Sequence, residues 1–310
     1  MQNQSLRTTA PRQPLLAAAM SLLLPGFGQL YNGEVNKAIY LFLCFALLSV
    51  PGVAVVALYL PSSLMMVFMA LGLVATLGVW LYGIVQAWRK AKNSPDYTLR
   101  NWQLGGGYVL IFLLCNALAL PLLINYVREH QVASFRIPST SMEPSVLHGD
   151  VLFADKRYNC PGCASAVQRG DIAIFVYPND RTRSYIKRVI GLPGDKVQIK
   201  GREAWLNGKP LTVKTTAASA GVVVTEQVDQ PTGPSWQVQW LPGDKQQPDA
   251  DLTVPPGHAF VLGDNRSTSQ DTRDFGTVPL HDIVGKARQV WFSKEPDGGV
   301  RWGRLGSVVE

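Results

Sequence analysis

The sequence predicts an N-terminal multi-span α-helical membrane region, residues 1–130, followed by a mainly-β domain, 131–310, with a smaller inserted β lobe at about 200–256. Three observations predict this. Long apolar stretches without charge fill the first part. The basic excess is concentrated there too. After residue 131 the pattern changes to short apolar runs broken by Gly, Pro and Asp. The chain is 47% hydrophobic and 16% charged, against about 25% charged in ordinary soluble proteins.

A bilayer crossing takes about 20 apolar residues. Residues 38–60, 64–88 and 105–127 meet that length and are free of charge. The earlier stretch Leu15–Tyr31 is interrupted by Pro25, Gly26 and Gly28. It reads as a re-entrant or interfacial hairpin at 15–31, because breaks in a lipid-exposed backbone leave polar groups unsatisfied. It lacks a small-x-small cleavage site after the apolar run, so no removal is expected.

Residues 1–130 carry eight Lys/Arg against three acids, and residues 131–310 carry the other 21 against 19. The first part therefore holds +5 of the net +7. Arg89, Lys90, Lys92 and Arg100 lie between the second and third spans, and positive loops stay cytoplasmic. Counting from that loop puts Lys37 inside, as well as Arg7 and Arg12 if the hairpin does not span, and puts everything after about residue 128 outside. No basic patch interleaved with aromatics points to nucleic acid.

In the second half, 150–154, 171–177, 185–190, 196–199, 204–206 and 259–262 read as strands, and Asn207-Gly208 as a hairpin turn. No amphipathic helix stands out. Residues 212–256 are rich in Thr, Ala, Gln, Pro and Gly and carry no readable chemistry.

Three blocks do carry chemistry. In Ile137-Pro138-Ser139-Thr140-Ser141-Met142-Glu143-Pro144, two prolines restrict the backbone around a Ser-x-Ser pair. A nucleophile needs such fixed geometry. In Tyr185-Ile186-Lys187-Arg188-Val189-Ile190, a lysine lies in an apolar strand, sharing a face with Tyr185 and Val189. If that face is buried, desolvation leaves a neutral amine able to take a serine proton. The third, 263–273 (GDNRSTSQDTR), is dense in hydrogen-bonding side chains and suits a loop that holds a site rigid. Alone, each block also fits a bland reading: a loop, a snorkelling lysine, a polar turn.

Together, PSTSMEP, the HGDVLFADK and RGDIAIF strands, YIKRVIGLPGD and GDNRSTSQDTRDFG make the chain resemble the type I signal peptidases, over roughly residues 134–200 and 257–305. The resemblance implies a membrane-bound serine endopeptidase that removes signal peptides from exported preproteins. Ser141 would be the nucleophile and Lys187 the general base. Ser139 would lend its hydroxyl to the oxyanion hole beside the Ser141 amide, and Ser269 would orient the lysine. Met142 would line the site. Arg188 would pair with Asp264, and Arg273 with Asp271, as supporting ion pairs. It implies no cofactor and no metal. The partners would be signal peptides with small residues before the cut, membrane lipid and, indirectly, the secretion translocon. The place would be the bacterial cytoplasmic membrane, with the catalytic domain on its outer face. An extended substrate would add to a strand edge, with Ile137–Ser139 and Asp150–Ala154 as candidate walls. The membrane region is larger than the one or two spans usual in the family, and PGFGQLYNGE is similar to small hairpin membrane modules of unknown role.

Other readings stay open at this stage: a relative dedicated to one substrate, or an idle scaffold that kept the fold. A soluble self-cleaving repressor is excluded by the three spans and the lack of a DNA-binding module. His130, His148, His258 and His281 lie in no G-x-S-x-G context and are not expected to act as the base. Cys160-Pro161-Gly162-Cys163 suits a small disulfide loop in an oxidising compartment. There is no second soluble pair for zinc and no βαβ setting for redox catalysis. Cys44 and Cys115 read as buried hydrophobes within spans.

Overall fold

The computed structural model describes residues 11–60, 62–94, 97–103, 106–159, 162–163, 165–218, 221–243 and 247–309. Arg7, Gly105, Cys160 and Pro161 lie outside the described residues. The chain divides into two compact units, Met1–Arg128 and Glu129–Glu310.

The first unit begins with helices α1 (Pro14–Leu23), α2 (Phe27–Tyr31), α3 (Val35–Tyr59) and α4 (Ser62–Lys92). Then come α5 (Gly107–Leu113), a π-helical turn at Leu114–Ala119, and α6 (Leu120–His130). Val35–Tyr59, Leu64–Lys92 and Gly107–His130 are each long and apolar enough to cross a membrane. Their large side chains are mostly exposed, among them Leu71, Leu73 and Val74. Cys44 is exposed as well, since that face of α3 has no protein against it. The π turn takes in Asn116, whose side-chain amide donates to the Phe112 carbonyl at 3.1 Å, so its polar end is satisfied within the helix.

Helix α1 starts on a proline, whose missing N–H costs nothing in a first turn. Its ten residues span only about 15 Å. The chain then turns into α2, and polar side chains tie this pair to α4. Gln29 donates to the Gly83 carbonyl at 2.7 Å, and Asn32 to the Ala87 carbonyl at 2.8 Å. The Gly28 amide donates to Ser21 Oγ at 3.1 Å. A Cβ at Gly28 would lie 2.1 Å from the Ala17 carbonyl oxygen, so only glycine permits this approach.

Among the described residues the second unit holds fourteen strands: β1 (Val132–Arg136), β2 (Asp150–Asp155), β3 (Ile172–Val176), β4 (Ser184–Gly191), β5 (Lys196–Lys200), β6 (Glu203–Leu206), β7 (Lys209–Pro210), β8 (Thr212–Ala218), β9 (Gly221–Gln227), β10 (Ser235–Trp240), β11 (Ala250–Thr253), β12 (His258–Leu262), β13 (Val278–Pro279) and β14 (Ile283–Ser293). The main sheet runs β1-β2-β14-β3-β4-β12-β13, with antiparallel neighbours. Both faces are covered. On β3, Ile172 and Ile174 pack with Met142, Leu152 and Ile186, while Ala173 and Phe175 pack with Val189 and Val261. The lobe consists of a four-stranded sheet, β11-β5-β6-β7, and a three-stranded one, β10-β9-β8, around Trp236, Val238 and Trp240. It leaves and re-enters at one point: the Gly194 amide donates to the Val254 carbonyl at 2.9 Å, and the Val254 amide to the Asp195 carbonyl at 2.8 Å.

Three readings need correction. Ile137–Ser139 is not a strand. Ile137 still exchanges hydrogen bonds with Gly149 and Asp150, but Pro138 has no N–H to continue the ladder. Strand β2 is interior, paired on both sides by β1 and β14, so no peptide can add to its edge. A one-turn helix, α7 (Thr272–Phe275), closes the 263–273 loop on a capping box between Asp271 and Asp274.

Candidate active site

Ser141 lies in the turn after β1, and Lys187 in the middle of β4. The lysine Nζ and the serine Oγ are 2.8 Å apart. Strand β4 is held on both sides, by β3 through the Ala173–Lys187 register and by β12 through the Leu262–Arg188 register. Tyr185 and Val189, the neighbours of Lys187 on its face by strand alternation, pack with Phe175 in the core. Lys187 is 3% exposed. Burial draws its pKa down from 10.5 to about 8, against the opposing pull of Asp271 and Asp264. A substantial neutral fraction near neutral pH follows.

Ser139 is exposed, and its Oγ lies 3.2 Å from Ser141 Oγ, within reach of the same reacting centre. Met142 does not line the surface. It is fully buried with Ile137, Val146 and Leu152, because the apolar side chain of this turn goes to the apolar cluster while Ser141 takes the open side. It anchors the nucleophile from below. Ser269 is in the site, but no hydrogen bond joins it to Lys187. Its Oγ is buried, lies beside the Asp271 carboxylate without a hydrogen bond of ordinary length, and packs against Gly263. A Cβ on Gly263 would meet Ser269 Oγ at 2.1 Å and the Ser141 carbonyl oxygen at 2.5 Å, so glycine is needed where three segments converge.

Arginines paired to acids frame Ser141 and Lys187. Arg188 Nε and Nη2 donate to the two oxygens of Asp264 at 2.9 and 2.7 Å, and its Nη1 donates to the Gly170 carbonyl at 2.7 Å. Arg273 grips Asp271 in the same two-pronged way, at 2.8 Å for both bonds. Asp271 also accepts the Gly263 amide at 3.0 Å, and the Arg273 guanidinium and that amide hold its carboxyl below the ordinary range despite burial.

Sequence reasoning missed several supports. Glu226 on β9 pairs with Arg266, and both are buried. The signal was present, a lone acid in the apolar run GVVVTEQ, but its partner is 40 residues away. Asn265 ties the loop to the nucleophile: its amide donates to the Ser141 carbonyl at 3.1 Å and its side chain to the Thr140 carbonyl at 3.2 Å. Ser145 accepts from Arg188 at 3.2 Å through its hydroxyl and from Arg304 at 3.0 Å through its carbonyl. The histidines are elsewhere: the His258 ring meets the Pro256 carbonyl, His281 lies beside Asp282, and His148 is exposed. Cys163 is disulfide-bonded.

A buried serine–lysine pair on a β scaffold, with a second serine beside the hydroxyl, defines the class of serine peptidases that dispense with histidine. A family model described as "Signal peptidase, peptidase S26" matches residues 108–292, and the chain belongs to that family. It is similar to signal peptidase I of Pseudomonas aeruginosa, 34% identical over 192 residues, covering 54% of this chain and 67% of the relative. Signal peptidase I of Rickettsia typhi is 31% identical over 211 residues, covering 59% and 77%. A solved signal peptidase I from Enterococcus faecalis V583 is 29% identical, covers 39% of this chain and 95% of its own, and has a TM-score of 0.26. The chain is thus a serine peptidase of the kind that removes signal peptides from preproteins.

Proposed function

We propose that the chain cleaves signal peptides by a Ser141–Lys187 dyad, as a membrane-anchored enzyme whose β unit faces outward from a bacterial cytoplasmic membrane. The observation that carries this is the 2.8 Å separation between a buried amine, with its pKa drawn down to about 8, and a serine hydroxyl.

The neutral amine of Lys187 takes the Ser141 hydroxyl proton as Oγ attacks the scissile carbonyl. The oxyanion is met by the Ser141 amide and the Ser139 hydroxyl. The ammonium of Lys187 then protonates the departing amine as the C–N bond breaks. Water, deprotonated by the same amine, releases the acyl group and restores Ser141. Ser269 holds the space beside the lysine. The pairs Arg188–Asp264 and Arg273–Asp271 keep strand and loop in register. The substrate extends along the free side of β1 and Ile137–Ser139, since β1 is the edge of the sheet. Small side chains before the cut fit shallow pockets there.

Three apolar helices support anchoring, and the basic loop at 89–100 supports the orientation. Anchoring beside a substrate that is itself in the bilayer raises its effective concentration. Lipid is then a standing partner, and the secretion translocon an indirect one.

The test is cleavage of a preprotein in detergent. Ser141→Ala and Lys187→Ala are expected to lower kcat/KM by on the order of 10⁴-fold or more, with unchanged circular dichroism. Cleavage by either variant at the wild-type rate would falsify the dyad.

A further inference from the structure

Among the described residues, five arginines of the second unit bind a carboxylate through the same two atoms, Arg157 with Asp155 being one. In the other four, Nε and Nη2 of Arg169, Arg188, Arg273 and Arg304 donate side-on to Asp195, Asp264, Asp271 and Asp150. That fork matches two oxygens of one anionic group. In the first unit, Arg12 presents the same pair empty. It is 7% exposed, and its Nε and Nη2 are buried with no hydrogen-bond acceptor among the described residues.

The surroundings explain how the side chain is held and what is left over. The guanidinium lies 4.3 Å from the Tyr31 ring centre and 4.1 Å from that of Tyr97. The rings therefore take up the guanidinium faces by cation–π contact, and only its polar edge remains for a partner. Tyr108 packs on Tyr31 at 6.2 Å, and its buried hydroxyl lies beside Arg12 and Gln103 with no hydrogen bond of ordinary length. Gln103 locks the assembly: its side-chain oxygen accepts from the Tyr97 hydroxyl at 3.0 Å, and its amide donates to the Leu30 and Tyr31 carbonyls at 3.2 Å. Among the described residues no acid fills the gap. Residues 1–128 contain two, and Glu34 is bonded to Lys37 at 2.6 Å while Asp96 lies outside the described residues. Beside this cluster, the Tyr97 hydroxyl abuts Gly33, which lines a cavity of about 330 Å³ with Glu34, Lys37 and Arg100 in its wall.

We propose that the Arg12 edge, with the Tyr108 hydroxyl, binds a phosphate group, the adjoining cavity with Lys37 and Arg100 taking the rest of the molecule. A phosphate offers the paired oxygens the fork requires, and a wall that is net positive, Lys37 and Arg100 against Glu34, suits its charge. The chemistry is shared by a phospholipid headgroup and by free phosphate, and the experiment separates the two.

The full-length protein is purified in dodecyl maltoside, a detergent without phosphorus. Binding is followed by native mass spectrometry and by thermal unfolding during titration with phosphatidylglycerol in mixed micelles, with diacylglycerol in the same micelles, and with inorganic phosphate. Phosphatidylglycerol is expected to bind at one high-affinity site and raise Tm, and diacylglycerol to do neither. Arg12→Gln is expected to weaken the site about tenfold or more, the loss of a charge-assisted hydrogen bond, and Arg12→Lys to weaken it less. Arg89→Gln, which removes an exposed charge of the same unit, leaves it unchanged. Saturation by inorganic phosphate with the same dependence on Arg12, and none by phosphatidylglycerol, assigns the site to free phosphate. Equal binding of phosphatidylglycerol by wild type and Arg12→Gln, or binding of neither phosphate probe by wild type, overturns the proposal. Should Arg12→Gln fail to fold, equal binding of phosphatidylglycerol and diacylglycerol by wild type overturns it.

Discussion

Glu226, on strand β9 of the inserted lobe, forms a buried ion pair with Arg266, in the loop that also carries Asp264, Ser269 and Asp271. Arg266 in turn donates to the Gly263 carbonyl at 3.1 Å, and its backbone amide to the Gln239 carbonyl at 3.0 Å. The lobe thus reaches the floor of the site through one carboxylate and through the backbone of Gln239, whose amide also donates to the Asp264 carbonyl at 2.9 Å. Glu226→Ala strands a buried guanidinium and is expected to destabilise the β unit by about 3–5 kcal/mol. Replacing both residues, as Glu226→Met with Arg266→Met, is expected to recover much of that loss. Urea unfolding of the single and double variants checks it.

With Lys187 as the proposed base, its pKa is expected to set the pH dependence of cleavage. With the amine drawn down to about 8 by burial, kcat/KM rises with pH as the neutral form accumulates and levels off above that value. Stability moves in the same direction. Between about 8 and the ordinary 10.5, the unfolded chain holds the proton and the folded chain does not. Stability therefore rises with pH across that window, and the penalty for burying the amine is fully present below it. A pH–rate profile and unfolding at several pH values report the two effects separately.

Ser139→Ala removes the hydroxyl beside the nucleophile. One oxyanion donor is worth about 10²–10³ in kcat. We expect a loss of that size with KM little changed, and partial recovery in Ser139→Thr. A fall in KM-dependent terms alone, with kcat intact, would place Ser139 in substrate binding instead.

Gly263→Ala brings a methyl group against both the Ser141 carbonyl oxygen and Ser269. Overpacking of this kind costs about 1–3 kcal/mol. Cleavage is expected to fall further than stability, because the displaced atoms are those that hold the nucleophile. Adding Ser269→Ala does not rescue it, since the Ser269 Cβ is itself 2.3 Å from the added methyl position. Activity and Tm measured on the same samples distinguish these effects.

The elements legible from sequence were those that local pattern controls. Charge-free length marked the three long helices, and alternation gave Lys187 its face and its neighbours Tyr185 and Val189. What escaped depended on partners far along the chain. Met142 reads as a lining residue until the cluster beneath it is seen, and Glu226 is silent until Arg266 is found across the lobe. Pro138 gave warning that Ile137–Ser139 would leave the sheet, and the Asp271/Asp274 spacing that a helix would start there. Both signals were local, but a flanking apolar residue and a run of polar ones masked them. Arg12 shows the other limit. A basic residue near a membrane helix reads as a topology marker, and only packing against Tyr31 and Tyr97 reveals that it is buried.

The lobe departs at Asp195 and returns at Val254 through a reciprocal pair of backbone bonds that closes its stem like a clasp, while Gln239 and Leu241 tie its β10 end to the site loop. Lengthening or trimming its distal hairpins changes loop-closure entropy only logarithmically and leaves the clasp where it is. Changes of size in those distal hairpins therefore leave the reacting atoms in place, provided that Glu226 and the bonds of Gln239 and Leu241 to the site loop are kept.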